Sequence, residues 1–129
     1  MNRPRVWIAA AIAALVVLSA LAGRMPIWLS GLYATMSAVS AATYWFDKRA
    51  AERGAPRVRE RTLHLLDLVG GIAGGLWAQA AFHHKTHKDG FALVSWTIAA
   101  LHLGVLLAVL TGYLPAAKLG ALAFFLHRV

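Results

Sequence analysis

Four apolar runs separated by short polar stretches make up most of this chain. They extend from Val6 to Gly23, Ile27 to Phe46, Thr62 to Phe82 and Phe91 to Tyr113. At a helical rise of ~1.5 Å per residue the shortest covers roughly 27 Å, close to the ~30 Å hydrocarbon core of a bilayer. Each run is therefore read as a membrane span. Beyond Leu114 and Pro115, the piece from Ala117 to Val129 is apolar but too short to cross, and is expected to lie at the interface. The pattern predicts an all-α fold: a polytopic integral membrane bundle of about four transmembrane helices plus a short C-terminal interfacial helix, in one domain spanning 1–129.

The runs differ in what they carry. In the first, the basic start at Arg3 and Arg5 and the triplet Ala20-Leu21-Ala22 also fit a cleaved signal peptide, although the run is long for one and more spans follow. In the second, Ser30, Ala34, Ala38 and Ala42 repeat every four residues. That spacing lets membrane helices approach closely, so this face is expected to pack on another span. Trp28, Tyr44 and Trp45 stand where interfacial anchors would.

The third run is the unusual one. At 100° per residue His64, Asp67, Gly71, Gly75 and Gln79 share a face, a polar intramembrane stripe made chiefly by His64, Asp67 and Gln79. Gly70 with Gly74 and Gly71 with Gly75 form two overlapping GxxxG pairs, which read as helix packing. His64, one turn before Asp67, is expected to donate to its carboxylate, since an unpaired buried charge is strongly unfavourable. A straight span is adopted for this run. The alternative is a re-entrant hairpin broken at the glycines, tolerable only where its backbone is buried in protein.

Composition agrees with the membrane reading: 60% of the residues are apolar and only 14% charged, more apolar surface than one soluble core can use. There are no cysteines, which excludes disulfide and thiolate chemistry. The net charge of +8 is grouped beside the apolar runs, as topology and anionic headgroups require, rather than spread as a nucleic-acid surface. The interval from Asp47 to Phe91 holds all five acidic residues and eight of the thirteen Lys and Arg. Six of those cations lie between Lys48 and Arg61, in a polar loop where a short helix and then a turn at Gly54 and Pro56 are expected. By the positive-inside rule this loop and the N-terminus are cytoplasmic, and four spans place both termini inside. His83, His84 and His87 could offer two imidazoles to a metal, but the flanking lysines repel a cation, so no metal and no cofactor is assigned.

The motif order resembles one known family. Asp47-Lys48 with Ala51, Arg57-Val58 with Glu60, Leu63-His64, Gly70-Gly71 with Gly74, Gln79, and Phe82 with His84-Lys85-Thr86, Lys88 and Phe91 resemble the signature of the DUF1294 membrane proteins. Its pattern runs roughly D-K-x-x-A, R-[IV]-P-E-x-x-L-H, G-G-x-x-G, H-K-T-x-K-x-x-F. Arg59 departs from it, standing where the pattern has proline. The resemblance implies a small protein of the bacterial cytoplasmic membrane with no assigned activity. Some relatives carry a cold-shock nucleic-acid-binding domain, but this sequence has neither OB-fold strands nor an RNP-like motif, so nucleic acid is not an expected partner.

The reading adopted is a membrane protein that binds anionic lipid headgroups, or a partner, through its basic loops. Arg57, Glu60, His64, His84, Lys85 and Lys88 are the anionic-ligand residues. Membrane lipids are thus the expected partners, and a homo-oligomer is possible. Three alternatives stay open. The first is an enzyme on a lipid or other anionic substrate, with His64 or His84 as acid or base. The second is a small oligomeric transporter or channel along the stripe, and the third is a membrane anchor related to the nucleic-acid-binding relatives. No Walker loop, nucleophile elbow or dinucleotide fingerprint supports a named reaction.

Overall fold

The computed structural model describes residues 3–82 and 89–114, and among these every regular element is helical. The helices are α1 (Arg3–Leu21), α2 (Ile27–Arg53), α3 (Glu60–Leu66), α4 (Ile72–Phe82) and α5 (Asp89–Thr111), with a π-type turn, Asp67–Gly71, joining α3 to α4. The expected C-terminal helix and the stretch from His83 to Lys88 lie outside the described residues. Three helical stretches have the length and hydropathy of a membrane span: Arg3–Leu21, Glu60–Phe82 and Gly90–Thr111. α2 is longer than any of them, but Ser, Thr and Gly are interspersed along it, and it is not among the three.

One boundary differs clearly from the pattern-based expectation. α2 does not stop at Phe46 but continues through the charged residues to Arg53, because Lys, Arg, Ala and Glu are all good helix formers. It ends where Gly54 takes a left-handed conformation (φ 67) and its N–H closes on the carbonyls of Ala50 and Ala51, with Pro56 just beyond. The polar loop is correspondingly shorter, and its expected helix is the continuation of α2.

The larger correction concerns the third apolar run, which is not one straight helix. Leu63 and Ala78 share a core cluster with Tyr44 and Phe91, although a straight helix would separate positions 63 and 78 by about 22 Å. The Asp67 carboxylate occupies the place that a Cβ on Gly75 would take, although positions 67 and 75 would stand about 12 Å apart along a straight helix. The segment therefore doubles back on itself. The reversal is made at Gly70, whose φ of 133 is a conformation that side-chain-bearing residues rarely adopt. The hairpin alternative describes this path, and length with hydropathy alone does not reveal it.

α2 serves as a ruler for the hairpin. Tyr33 and Met36 face Gly70, Ser40 reaches Asp67, and Tyr44 reaches both Asp67 and Gln79. Farther along, Lys48 reaches the Phe82 carbonyl. Both limbs thus end beside the C-terminal part of α2, and the tip lies near Tyr33. α1 and α5 run parallel to each other: Arg5 stacks over Trp96 at 5.4 Å, and the Arg24 guanidinium lies against Gly112. One end of the bundle consequently collects Arg3, Arg5 and the six cations from Lys48 to Arg61. The other end holds Arg24 as the only cation among the described residues.

The core between these ends is apolar, with Ile12 and Val16 of α1, Ile72 and Leu76 of α4, and Ile98 and Leu106 of α5 in one cluster. The outside is apolar too, with Trp7, Leu21, Leu93 and Leu101 exposed, a surface compatible with a hydrocarbon environment. Ala34, Ala38 and Ala42 are exposed, so among the described residues no helix covers the small-residue face of α2, although Ala34 borders a crevice against α1. The adjacent face, Ser37 and Ser40, meets the hairpin instead.

Close approach fixes three of the hairpin glycines, Gly71 against Met36 and Ser40 as well as Gly74 and Gly75. A Cβ on Gly74 would collide with the backbone of Ser37, and one on Gly75 with the Asp67 carboxylate. Gly74→Ala is expected to lower stability by about 1 to 3 kcal/mol through overpacking. Gly104→Ala, which points into open space, should be neutral or raise stability by up to about 1 kcal/mol. Thermal unfolding of the two variants in detergent measures the contrast, and equal melting points would mean α4 and α2 do not touch at Ser37.

Candidate functional site

The hydroxyl of Tyr44, a side chain with no solvent exposure, is the centre of a buried polar cluster. It donates to Asp67 Oδ2 at 2.9 Å and accepts from Gln79 Nε2 at 3.1 Å. Ser40 Oγ donates to the other Asp67 oxygen at 2.5 Å. Gln79 Nε2 donates also to Ser95 Oγ at 3.1 Å, and its Oε1 accepts from Arg5 Nε at 2.9 Å. An arginine nitrogen can only donate, which fixes the amide with its oxygen toward α1. The chain of bonds crosses every long element: Arg5 of α1, Ser40 and Tyr44 of α2, Asp67 at the turn, Gln79 of α4 and Ser95 of α5.

A second contact set holds the tip. His102 Nε2 lies 3.1 Å from the Leu68 carbonyl oxygen and Nδ1 lies 2.7 Å from the Tyr33 hydroxyl. A carbonyl accepts only, so Nε2 carries the hydrogen and Nδ1 accepts from Tyr33. Ser37 Oγ donates to the Gly70 carbonyl at 3.5 Å. Backbone groups released by the break in the helix thereby find partners on α2 and α5, as burial away from water demands.

At the cation-rich end, Asp47 is fully buried and accepts from Arg57 Nε at 3.3 Å, Arg57 Nη2 at 3.0 Å and the Val58 N–H at 2.9 Å. Lys48 Nζ donates to the Phe82 carbonyl at 2.7 Å, a cation on the last turn of a helix. Nearby, a groove of about 570 Å³ opens between α3 and α5. Glu60, Arg61 and His64 line its mouth, and Leu65, Leu68, Val94 and Ile98 line its deeper part. The His64 ring lies over Phe91, centroid to centroid 4.3 Å.

The expected anionic-ligand residues thus divide. Glu60 and His64 come together at the groove. Arg57 sits apart with its guanidinium fork turned onto Asp47, while His84, Lys85 and Lys88 lie outside the described residues. The polar stripe also changes meaning. Asp67 and Gln79 do meet, through Tyr44, because the chain folds back and not because they share a helical face. The expected His64–Asp67 hydrogen bond is replaced: both Asp67 oxygens accept from α2, and His64 turns toward α5. Among the described residues no three of His, Asp and Glu converge as a metal centre would need.

Several participants are missing from the sequence-based set. Tyr44 was an anchor there, Arg5 a topological charge and Ser40 unremarked, while Asp47 counted only as a motif residue and Ser95 not at all. A signal existed on α2, where Tyr33, Ser37, Ser40, Tyr44 and Asp47 recur at spacings of three and four, one polar face along an apolar helix. Ser95 and His102 likewise stand seven apart on α5.

Comparison with known families finds one match: residues 37–91 fit the model described as "Protein of unknown function (DUF1294)". No curated protein and no solved structure matches. The matched stretch begins at Ser37 and ends at Phe91, and so contains the hairpin together with the half of α2 that cradles it.

Double-mutant cycles in detergent test the cluster. Tyr44→Phe and Asp67→Asn should be non-additive, with a coupling of about 0.5 to 3 kcal/mol, because each removes the same bond. His64→Ala and Asp67→Asn should add within about 0.5 kcal/mol. The reverse pattern would restore the helical-face pairing of His64 with Asp67.

Proposed function

We propose that this chain, whose residues 37–91 match the DUF1294 model, is an integral membrane protein whose cation-rich end binds anionic lipid headgroups on the cytoplasmic side of a bacterial inner membrane. The carrying observation is the segregation of charge. Eight described cations stand at the end where α1 begins, α2 finishes and both limbs of the hairpin terminate, against Arg24 alone at the other. The positive-inside rule orients such a bundle, and each cation near an anionic surface contributes about 1 kcal/mol to its attraction. The exposed apolar flanks of α1 and α5 supply the hydrocarbon-facing surface.

In this reading α1, α2 and α5 cross the bilayer, while Glu60–Phe82 enters and leaves on the cytoplasmic side. Three crossings, in place of the four expected from hydropathy, put the N-terminus inside and the end of α5 outside. The backbone broken at Gly70 is covered by α2 and α5 rather than by lipid, the condition under which irregular backbone is tolerated at membrane depth. Asp67 and Gln79 are engaged by side chains of the bundle, which favours a structural brace over a conduction path.

The absence of cysteine makes topology directly testable. Single cysteines at Ala22, Ala55, Thr86 and Tyr113 are expected to react with an impermeant maleimide from outside only at Ala22 and Tyr113. External labelling of Thr86 would mean that Glu60–Phe82 crosses. For the function itself, native mass spectrometry of the detergent-purified protein should show phosphatidylglycerol retained over phosphatidylcholine of the same acyl chains. The preference should shrink as salt rises and screens the exposed cations. Equal retention of the two lipids at low salt would overturn the reading.

A further inference from the structure

The α3–α5 groove differs from a second cavity among the described residues. Between α1 and α2 lies a crevice of about 350 Å³, walled by residues such as Ile12, Val16, Tyr33 and Ala34, with no charged side chain on it. It offers a ligand mostly apolar contact, with hydroxyls from Ser30, Tyr33 and Ser37 and no charge. The α3–α5 groove is graded from end to end. Glu60, Arg61 and His64 stand at its mouth, with Arg61 beside the other cations of this end, and Leu65, Leu68, Val94 and Ile98 follow along it. From Gly90 to Ile98 the wall rises about 12 Å at helical pitch, close to the roughly 15 Å depth of one leaflet's hydrocarbon. Its volume falls within the ~300 to 1,000 Å³ of ordinary ligand sites. The groove is open sideways: Leu65, Leu68 and Val94 are exposed, so a molecule already in the bilayer reaches it without passing through water.

Charge selects the occupant. Arg61 makes no hydrogen bond or ion pair with another described residue, in contrast to Arg57, whose fork is spent on Asp47. A second copy of this chain would bring the same cationic end and a net charge of +8 against it, which disfavours self-association there. A phosphodiester above an acyl chain complements both ends of the groove, the guanidinium taking the phosphate oxygens and the leucine and valine walls the hydrocarbon.

We infer that the groove between α3 and α5 is a specific site for one anionic phospholipid, its phosphate at Arg61 and one acyl chain along Leu65, Leu68, Val94 and Ile98. This inference rests on the headgroup-binding reading above and assigns that binding to one place, with Arg61 rather than Arg57 as the phosphate ligand. His64 stands at the same mouth, where its ring on Phe91 closes the polar end of the groove from below.

Native mass spectrometry with phosphatidylglycerol and phosphatidylcholine tests it on four variants of the whole chain. Arg61→Gln should weaken retention of phosphatidylglycerol by about tenfold, the loss expected for one charge-assisted contact. Arg59→Gln, an exposed cation two residues away and off the groove wall, should leave it unchanged. Val94→Trp and Leu65→Trp fill the groove from opposite walls and should each reduce retention of both lipids. Two fillers are used, with melting points alongside, so that a folding defect in one is not mistaken for lost binding. Equal losses in Arg61→Gln and Arg59→Gln, with both tryptophan variants unaffected, would overturn the groove while leaving a diffuse cationic surface and the broader reading intact. No preference for phosphatidylglycerol in the unmodified protein would overturn both.

Discussion

The bond between the Tyr44 hydroxyl and the Asp67 carboxylate is the contact on which the rest of this structure depends. A helix broken inside an apolar bundle exposes carbonyls and N–H groups that hydrocarbon cannot satisfy, each at a cost of several kcal/mol. The reversal at Gly70 survives because its two limbs are held together near their middle and its tip is covered. Tyr44 does the first, bonding Asp67 before the turn and Gln79 after it. Ser37 and His102 do the second. A phenylalanine in place of Tyr44 would leave Asp67 Oδ2 without its donor and one of the two Gln79 N–H groups without its acceptor, the other keeping Ser95, which is why one hydroxyl links three elements.

The same arrangement explains where the family match begins and ends. Residues 37–91 take in Ser37, Ser40, Tyr44 and Asp47, the face of α2 that cradles the hairpin, then the hairpin itself, and stop at Phe91 over His64. Arg5, Ser95 and His102 lie in the flanking helices. They complete the network from outside that unit: Arg5 and Ser95 occupy the remaining positions of the Gln79 amide, and His102 takes the Leu68 carbonyl. The unit is thus a helix and a hairpin bound by side-chain hydrogen bonds, enclosed by two apolar helices whose inner faces supply the last partners.

Much of this was legible in the sequence and some was not, for definite reasons. Helix existence followed from four long apolar runs, and the importance of Asp67, Gln79 and the glycines followed from the rarity of polar and small residues in such runs. The path of the third run did not follow, because length and hydropathy are the same for a straight helix and for one that reverses. Only Gly70, among four glycines in six residues, takes the reversing conformation, and nothing in the letters distinguishes it from Gly71. Pairing failed with the path: His64 and Asp67 are neighbours on a helix face, but the carboxylate is taken by Ser40 and Tyr44 of α2 while the His64 ring lies on Phe91 of α5. The partner could have been sought there, since Ser40 and Tyr44 belong to a polar face as regular as the apolar one beside it. Arg5 was hidden by being explicable otherwise, as a charge that sets orientation.

The hairpin and the basic face are one fact seen from two sides. If Glu60–Phe82 ran straight, Phe82 would lie at the far end of the bundle from Glu60 and from the cations between Lys48 and Arg61. Because the chain reverses, Phe82 returns to Lys48, whose ammonium caps its carbonyl, and α5 starts beside α3 instead of across the bundle from it. That return sets α3 beside α5, two helices that leave the same end side by side with the groove between them. A groove with a cationic mouth and an apolar wall is therefore the geometric product of folding the third run back, and not an independent feature laid on a finished bundle. The polar network at Tyr44, far from any solvent-exposed chemistry, acts on the groove through this geometry: what holds the limbs of the hairpin together also holds α3 against α5 at the spacing the groove requires.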